Sequence, residues 1–201
     1  MSLIPIHIAV EDVLSETVLR KILENSGRGY AVGSCYTRQG AGYLKKNVRG
    51  FNNAAKGTPF LLTDLDTAGC APELMQSWLP VSRNPNFLFR VAVREVEAWL
   101  LADRSGFSKF LKIPEKRIPV NADDIINPKQ MIVNLAGKCR SRELKTAIAP
   151  RSGSTAKVGP DYNGKLVYFT VHLWNIEKAA GNSPSLARTV RAVNEFRPVF
   201  Q

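Results

Sequence analysis

The sequence predicts an α/β fold, with a mostly parallel sheet of about four strands flanked by helices and a basic, mainly helical region after it. In the first half, apolar runs rich in β-branched residues alternate with segments of helical periodicity. The connections are short, which favours helical crossovers between parallel strands. The second half shows helical periodicity only. With 201 residues, 44% of them hydrophobic, the chain can bury a core without disulfides or a structural metal.

The first half, residues 1–103, is predicted to form the α/β domain. Ile4–Val10 is a continuous apolar run, as in a strand that is buried on both faces. Its four strands are Ile4–Val10, Tyr30–Thr37, Pro59–Thr63 and Phe87–Val93. The predicted helices are a segment from an N-cap at Ser15 to Asn25, one around Tyr43–Val48, Ala71–Leu79 and Glu95–Asp103.

Residues 104–201 are predicted to form a mainly helical C-terminal region that packs on this domain. Its last helix begins with Ser183 as cap and Pro184 in the first turn. The helices expected here are Lys129–Leu135, Glu143–Ile148, Asp161–Leu173 and Pro184–Glu195.

Almost all of the net charge of +11 lies in the second half. Residues 1–103 hold 11 Lys and Arg against 10 Asp and Glu, whereas residues 104–201 hold 17 against 7. Such a concentration attracts polyanions, above all nucleic acid, although a solvated, solubilising face is the alternative. The candidate phosphate-backbone contacts are Lys138, Arg140, Arg142, Arg151 and Lys157.

The sequence predicts a cytoplasmic protein that neither spans nor binds a membrane. No apolar run approaches the roughly 18–20 residues that cross a bilayer, and the N-terminus lacks the basic region of a signal peptide. Cys35, Cys70 and Cys139 are odd in number and widely spaced, which predicts free thiols rather than disulfides or a zinc site.

Acidic residues directly follow three of the four predicted strands. Glu11 follows the first, Asp64 and Asp66 follow the third, and Glu95 and Glu97 follow the fourth. The carboxyl ends of parallel strands share one edge of the sheet, where α/β proteins bind ligands. Converging carboxylates repel one another unless a cation compensates them. Hard oxygen ligands select Mg²⁺ or Mn²⁺, so the sequence predicts such a site.

Glu95 and Glu97 are not expected to contribute equally to the predicted metal site. Two residues apart on a regular helix, they would point about 200° away from each other, so one is expected to be an ordinary first-turn acid. The neighbouring Arg94 can clamp a phosphate through its guanidinium or pair with a carboxylate instead.

At these acids the sequence resembles the Toprim domain of topoisomerases, bacterial primases and OLD-type nucleases. The resemblance implies that Glu11 and the Asp64-x-Asp66 pair bind the metal ions. Residues 91–103 (VAVREVEAWLLAD) are similar to a segment of compact, stand-alone bacterial Toprim-like proteins, some of which are encoded beside ATPases in phage-defence clusters. Asn127-Pro128-Lys129 and residues 182–188 (NSPSLAR) also resemble this group.

The departures from the Toprim pattern favour a nuclease over a topoisomerase. Asp12 stands where Gly commonly follows the Toprim Glu, and Ala68 stands where topoisomerases often carry a further acid. The arrangement implied is nuclease-like, with Glu95 or Glu97 completing the second metal site and Glu11 also positioning or deprotonating water.

The sequence therefore predicts a divalent-metal-dependent nuclease that hydrolyses DNA, or RNA, with a role in phage defence implied by the resemblance. One alternative is a non-catalytic subunit that binds nucleic acid or a separate ATPase. A weaker alternative is a phosphatase or transferase that uses Asp64-x-Asp66, although Ala68 does not match the dehalogenase-class motif.

Overall fold

The computed structural model, which describes residues 3–37, 39–54 and 57–199, has the predicted α/β fold. The four strands are β1 (Ile4–Val10), β2 (Tyr30–Tyr36), β3 (Pro59–Asp64) and β4 (Leu88–Ala92). They form one sheet in the order β2-β1-β3-β4, and every neighbouring pair is parallel. All four predicted strands are confirmed, with ends that differ by one residue at most.

The α-helices of the described residues include every predicted helix and two more. They are α1 (Val13–Asn25), α2 (Gly40–Asn53), α3 (Ala71–Trp78), α4 (Val96–Ala102), α5 (Arg104–Leu111), α6 (Pro128–Gly137), α7 (Arg142–Ile148), α8 (Tyr162–His172), α9 (Ile176–Asn182) and α10 (Pro184–Glu195). The sequence analysis missed α5 and α9. Both are short and are fixed by capping side chains: Asp103 accepts from the Gly106 amide at 3.0 Å, and Asn175 accepts from the Lys178 amide at 2.9 Å.

The predicted N-cap of α1 at Ser15 is wrong by three residues. The helix begins at Val13, and Asp12 is its N-cap. One carboxylate oxygen of Asp12 accepts from the backbone amide of Ser15 at 2.8 Å and from the Ser15 hydroxyl at 2.9 Å. Asp is as good a cap as Ser, and it comes first in the chain.

The sheet core lies on the two central strands. Ile6 and Ile8 of β1 and Phe60 and Leu62 of β3 are fully buried, as expected for a parallel sheet that helices cover. On one side of the sheet, residues of β3 and β4 pack against Leu44 and Val48 of α2 and Leu74 of α3. Helix α1 contacts β1 and β3. The apolar pattern of the first half thus positions the carboxyl ends of β1 and β3 side by side.

His7 has a structural role in β1. The register between β1 and β2 shifts between Ile6 and Ile8, and the backbone amide of Ser34 donates to Nδ1 of His7 at 2.8 Å. A Cβ atom added at Gly33 would lie 2.8 Å from the ring, and one added at Gly57 would lie 2.5 Å from it. The imidazole therefore satisfies a strand amide and fills the space that two glycines leave.

The chain divides into two compact units, and their boundary differs from the predicted one at residue 103. The first unit contains Met1–Val93 and Ala187–Gln201, and the second contains Arg94–Leu186. Every residue of α4 is buried, and α4 contacts α6 and α9, so it belongs to the second unit.

The end of the chain returns to the first unit. There the Tyr30 hydroxyl donates to the Val193 carbonyl at 2.6 Å, and Arg28 donates to the Asn194 carbonyl at 2.9 Å. Charge and periodicity alone do not reveal these long-range contacts.

None of the helices in the described residues combines the length and the apolar character needed to cross a membrane.

Candidate acidic site at the carboxyl edge of the sheet

The strand order creates a topological switch point between β1 and β3. From β1 the chain moves to β2 on one side, and β3 and β4 then lie on the other side. In open α/β sheets, ligands bind in the crevice outside the carboxyl ends of the strands at such a point. Glu11 directly follows β1, and Asp64 is the last residue of β3. Two predicted metal ligands therefore lie at the position where this fold binds ligands.

The Glu11 carboxylate bridges the ends of these two strands. Its Oε1 accepts from the Thr63 hydroxyl at 2.5 Å and from the Asp64 backbone amide at 2.8 Å. Thr63 is almost fully buried. The sequence analysis did not assign a role to Thr63, although a hydroxyl directly before Asp64-x-Asp66 was a usable signal. These two donors fix the orientation of the Glu11 carboxylate.

The electrostatic environment of Glu11 favours an added positive charge. Burial raises the pKa of Glu11, and the negative charges of Asp66 and Asp12 raise it further. The hydrogen bonds from Thr63 and Asp64 act in the opposite direction without cancelling these effects. A carboxylate whose ionised form is disfavoured in this way is stabilised by a nearby cation and is a candidate for functional chemistry.

Asp66 lies in a tight turn after β3. Its φ of 49° is in the left-handed region, which Asp tolerates better than most residues. The turn is fixed by hydrogen bonds from the Leu65 amide to the Ala92 carbonyl, at 2.9 Å, and from the Ala68 amide to the Leu65 carbonyl, at 3.0 Å. The Asp66 residue is exposed, so its carboxylate is accessible to a solvated ion.

Arg94, the residue predicted to clamp a phosphate, has a strained backbone. It comes two residues after β4, is half-buried and has a φ of 62°. This conformation costs a residue other than glycine roughly 1–2 kcal/mol. Strain of this kind is concentrated at functional positions in proteins.

Glu95 and Glu97 converge on one lysine, in contrast to the predicted opposite directions. Glu95 precedes α4 and has an extended backbone, with φ −145° and ψ 158°, so helical spacing does not apply to the pair. The Nζ atom of Lys129 lies 3.7 Å from Oε1 of Glu95 and 3.5 Å from Oε1 of Glu97. The Lys129 backbone amide also donates to Oε2 of Glu95 at 2.9 Å.

Glu97 is the more deeply buried of the two carboxylates. Its side chain is 4% exposed, and the Tyr162 hydroxyl donates to it at 3.3 Å. Glu11, Asp64 and Asp66 belong to the first unit, whereas Glu95 and Glu97 belong to the second. In the second unit, Lys129 supplies positive charge to both acids.

Lys129 and Tyr162 were missed as partners of the acids. Lys129 stands in the Asn127-Pro128-Lys129 segment, where the Asn127 side chain caps α6 by accepting from the Gln130 amide at 2.9 Å. The cap and the proline place Lys129 in the first turn of α6, close to Glu95 and Glu97. The sequence shows a lysine directly after a helix cap, but it does not show that this lysine pairs with Glu95 and Glu97, which are about 30 residues away in the chain.

The described residues contain no group of three or more His, Cys, Asp or Glu side chains arranged to hold a metal ion. The assignment of Mg²⁺ or Mn²⁺ to Glu11, Asp64, Asp66 and Glu97 therefore stays a prediction. Mg²⁺ needs only one or two carboxylates and retains several waters, and the chemistry of Glu11 and Asp64 is suited to that mode of binding.

Apart from the half-buried Arg94, the predicted nucleic-acid contacts are exposed residues of the second unit. They are Lys138, Arg140, Arg142, Arg151 and Lys157. Lys138 also lines a groove of about 770 Å³ together with Arg117, Met131, Asn134 and Leu135. The sequence analysis did not single out Arg117.

Comparison of the chain with models of protein families found no match, and comparisons with curated proteins and with solved structures found none either.

Proposed function

We propose that this protein is a divalent-metal-dependent nuclease that hydrolyses phosphodiester bonds in DNA or RNA. The observation that carries the proposal is the position of Glu11 at the switch point of the sheet. Its carboxylate is held by Thr63 and the Asp64 amide in the negative field of Asp66 and Asp12. An acidic, oxygen-lined position of this kind suits Mg²⁺ or Mn²⁺.

Glu11, Asp64 and Asp66 would hold the metal ion, which when bound neutralises charge on a phosphate undergoing hydrolysis. Glu11 would have a second role, because burial raises its pKa and so favours acceptance of a proton from an attacking water. Thr63 and the Asp64 amide orient the same carboxylate, so they act as positioning groups.

The exposed cations of the second unit support the proposed substrate class. Lys and Arg side chains that contact phosphates give affinity that depends on salt and hardly at all on sequence. The groove beside Lys138 and Arg117 extends this basic surface. A chain with this charge and an acidic switch point is suited to a phosphodiester polymer.

The test is cleavage of supercoiled plasmid in Mg²⁺, in Mn²⁺ and in EDTA. We expect nicking only when Mg²⁺ or Mn²⁺ is present. The cleavage rate should fall by at least 100-fold when Asp64→Asn and Asp66→Asn are combined. Glu143→Gln, which changes an exposed acid of α7, is the matched control and should cleave normally. Cleavage by the double variant at the wild-type rate would show that the assignment is wrong.

A non-catalytic subunit that binds nucleic acid or an ATPase is the second candidate. It is favoured by the pairing of Glu95 and Glu97 with Lys129, which gives those acids a structural partner in place of a metal. Salt-sensitive retention of DNA without nicking in any metal would support this candidate. Hydrolysis of a small phosphate ester, with plasmid left intact, would instead support a phosphatase or transferase that uses Asp64 and Asp66.

A further inference from the structure

The groove beside α6 combines apolar surface with positive charge. Its volume of about 770 Å³ is within the range of sites that bind small ligands, and all its lining residues belong to the second unit. Four of them are spaced as i, i+3, i+4 and i+7, which places them on one face of the helix. These are Met131, Asn134, Leu135 and the C-cap residue Lys138, and Arg117 joins them from the turn Glu115–Arg117.

Both cations of the groove are available to an anionic ligand. Arg117 and Lys138 are exposed, and no carboxylate of the described residues lies within 4.0 Å of their side-chain nitrogens. Glu115, which is close to Arg117 in the chain, pairs instead with Arg104 at 3.4 Å. The turn that carries Arg117 is anchored by the buried Ile118, whose carbonyl accepts from Nε of Arg104 at 3.1 Å. The lining residues of the groove thus bring two positive charges and no acid.

Between these cations, the groove has the features that a nucleobase needs. The buried Leu135 and the half-buried Met131 form an apolar floor, on which a flat ring can pack. Oδ1 of the exposed Asn134 accepts from Nε2 of Gln130 at 3.0 Å. This bond orients the amide of Asn134 and leaves its NH₂ group to donate to a carbonyl oxygen of a base. A flat ring with a carbonyl oxygen and an attached phosphate matches the floor, the amide and the cations together.

We propose that this groove binds one unpaired nucleotide of a nucleic-acid strand, with the base on the apolar floor and the phosphate held by Arg117 and Lys138. A base within a duplex is paired and stacked, so only an unpaired base can enter a groove of this kind. The inference deepens the proposed function, and it rests on nucleic acid being the substrate.

A strand fits the groove better than a free nucleotide because the positive charge continues beyond it. Arg140 and Arg142 are exposed and follow Lys138 by two and four residues. Their Cα atoms therefore lie within roughly 7 and 14 Å of that of Lys138. The phosphates next to the bound nucleotide can contact these two arginines, whereas a free nucleotide has no such phosphates.

The experiment measures binding in EDTA, by anisotropy of a labelled oligothymidylate of about 12 nucleotides and of an abasic strand with the same length and charge. The wild-type protein should bind the thymidylate about fivefold or more tightly, because the abasic strand has nothing to place on the floor. Asn134→Ala and Met131→Ala should each bring the two affinities closer together and leave the affinity for the abasic strand unchanged. Asn134 is exposed and alanine favours helix, so Asn134→Ala keeps the fold.

Replacing the cations should have a different effect. Arg117→Gln and Lys138→Gln should each weaken binding of both strands, and each should reduce the slope of log K against log salt concentration by about 0.7, the value for one phosphate contact of a single strand. Lys178→Gln, which changes an exposed lysine of α9 outside the groove, is the matched control and should bind both strands as the wild type does.

Equal affinity of the wild-type protein for the two strands would overturn the proposal, as would an unchanged preference for thymidylate in both Asn134→Ala and Met131→Ala. Displacement of the strand by thymidine monophosphate at concentrations near the Kd of the strand would identify a free nucleotide as the ligand and refute the assignment to a strand.

The outcome is separate from that of the plasmid test, since binding in EDTA involves neither metal nor cleavage. Preference for thymidylate without plasmid cleavage would refute the nuclease and leave the nucleotide groove. Plasmid cleavage without this preference would refute the groove and leave the nuclease.

Discussion

Replacing Lys129 by Met tests the charge arrangement of the second unit most sharply. The lysine Nζ lies 3.5 Å from Glu97 and 3.7 Å from Glu95, whose side chains are 4% and 18% exposed. Removal of one partner from a buried ion pair costs about 3–5 kcal/mol, because the other charge stays buried. The Lys129 side chain is 42% exposed, and solvent screens its interactions. We therefore expect Lys129→Met to lower the free energy of unfolding by about 2–3 kcal/mol.

Urea denaturation at pH 7 of a double-mutant cycle measures this interaction. The cycle combines Lys129→Met with Glu97→Gln, which keeps the shape of the side chain and can still accept from the Tyr162 hydroxyl. We expect a coupling energy of about 1.5–3 kcal/mol, with the double variant less destabilised than the sum of the two single variants. Lys178→Met, an exposed lysine of α9, is the control and should change stability by less than about 0.5 kcal/mol.

Additive effects would refute this reasoning. A coupling energy below about 0.3 kcal/mol is within the usual additivity of independent sites. It would mean that Lys129 does not offset the charge of Glu97 in solution.

Three further predictions concern the first-unit acids and the backbone. Burial raises the pKa of Glu11 above 4.5, so the folded chain keeps this proton to a higher pH than the unfolded chain and loses stability as pH rises through the raised pKa. Glu11→Gln removes this loss. In EDTA, the free energy of unfolding of Glu11→Gln relative to that of the wild type should therefore increase from pH 4 to pH 7. A difference between the two that is constant with pH would contradict this. Asp12→Ala should cost about 1 kcal/mol in urea denaturation through loss of the α1 cap, whereas Asp12→Asn should not; equal losses would argue against capping. Gly159→Ala should lower the free energy of unfolding by about 2–3 kcal/mol, because its Cβ would collide with the Ala147 carbonyl. Gly181→Ala, which has open space in α9, should raise it by up to about 1 kcal/mol. Similar Tm values for the two variants would oppose this packing argument.

The strands were predictable because their signal is local. Ile4–Val10 is apolar apart from His7, and Pro59–Asp64 is apolar up to Thr63; a parallel sheet with helices on it buries such runs on both faces. Once the strands are known to be parallel, the positions of Glu11 and Asp64 at one edge follow from the chain direction. The hydrogen bonds of Glu11 to Thr63 and the Asp64 amide then depend on the pairing of β1 with β3, which the sequence does not specify.

The contacts that were missed depend on residues far apart in the chain. All residues of helix α4 are buried and the helix contacts α6 and α9, so the boundary between the two units lies at residue 93 and not at residue 103. Lys129 lies 32 residues after Glu97, and nothing between them signals the pair.

Direct measurement of Mn²⁺ binding by electron paramagnetic resonance is the most direct test of the acidic site. The account predicts that the wild-type protein binds Mn²⁺, that Mg²⁺ competes for the same position, and that Asp64→Asn combined with Asp66→Asn abolishes binding. Glu143→Gln should bind as the wild type does. Equal binding of Mn²⁺ by the double variant and the wild type, or no binding by the wild type, would contradict a metal centre at the ends of β1 and β3.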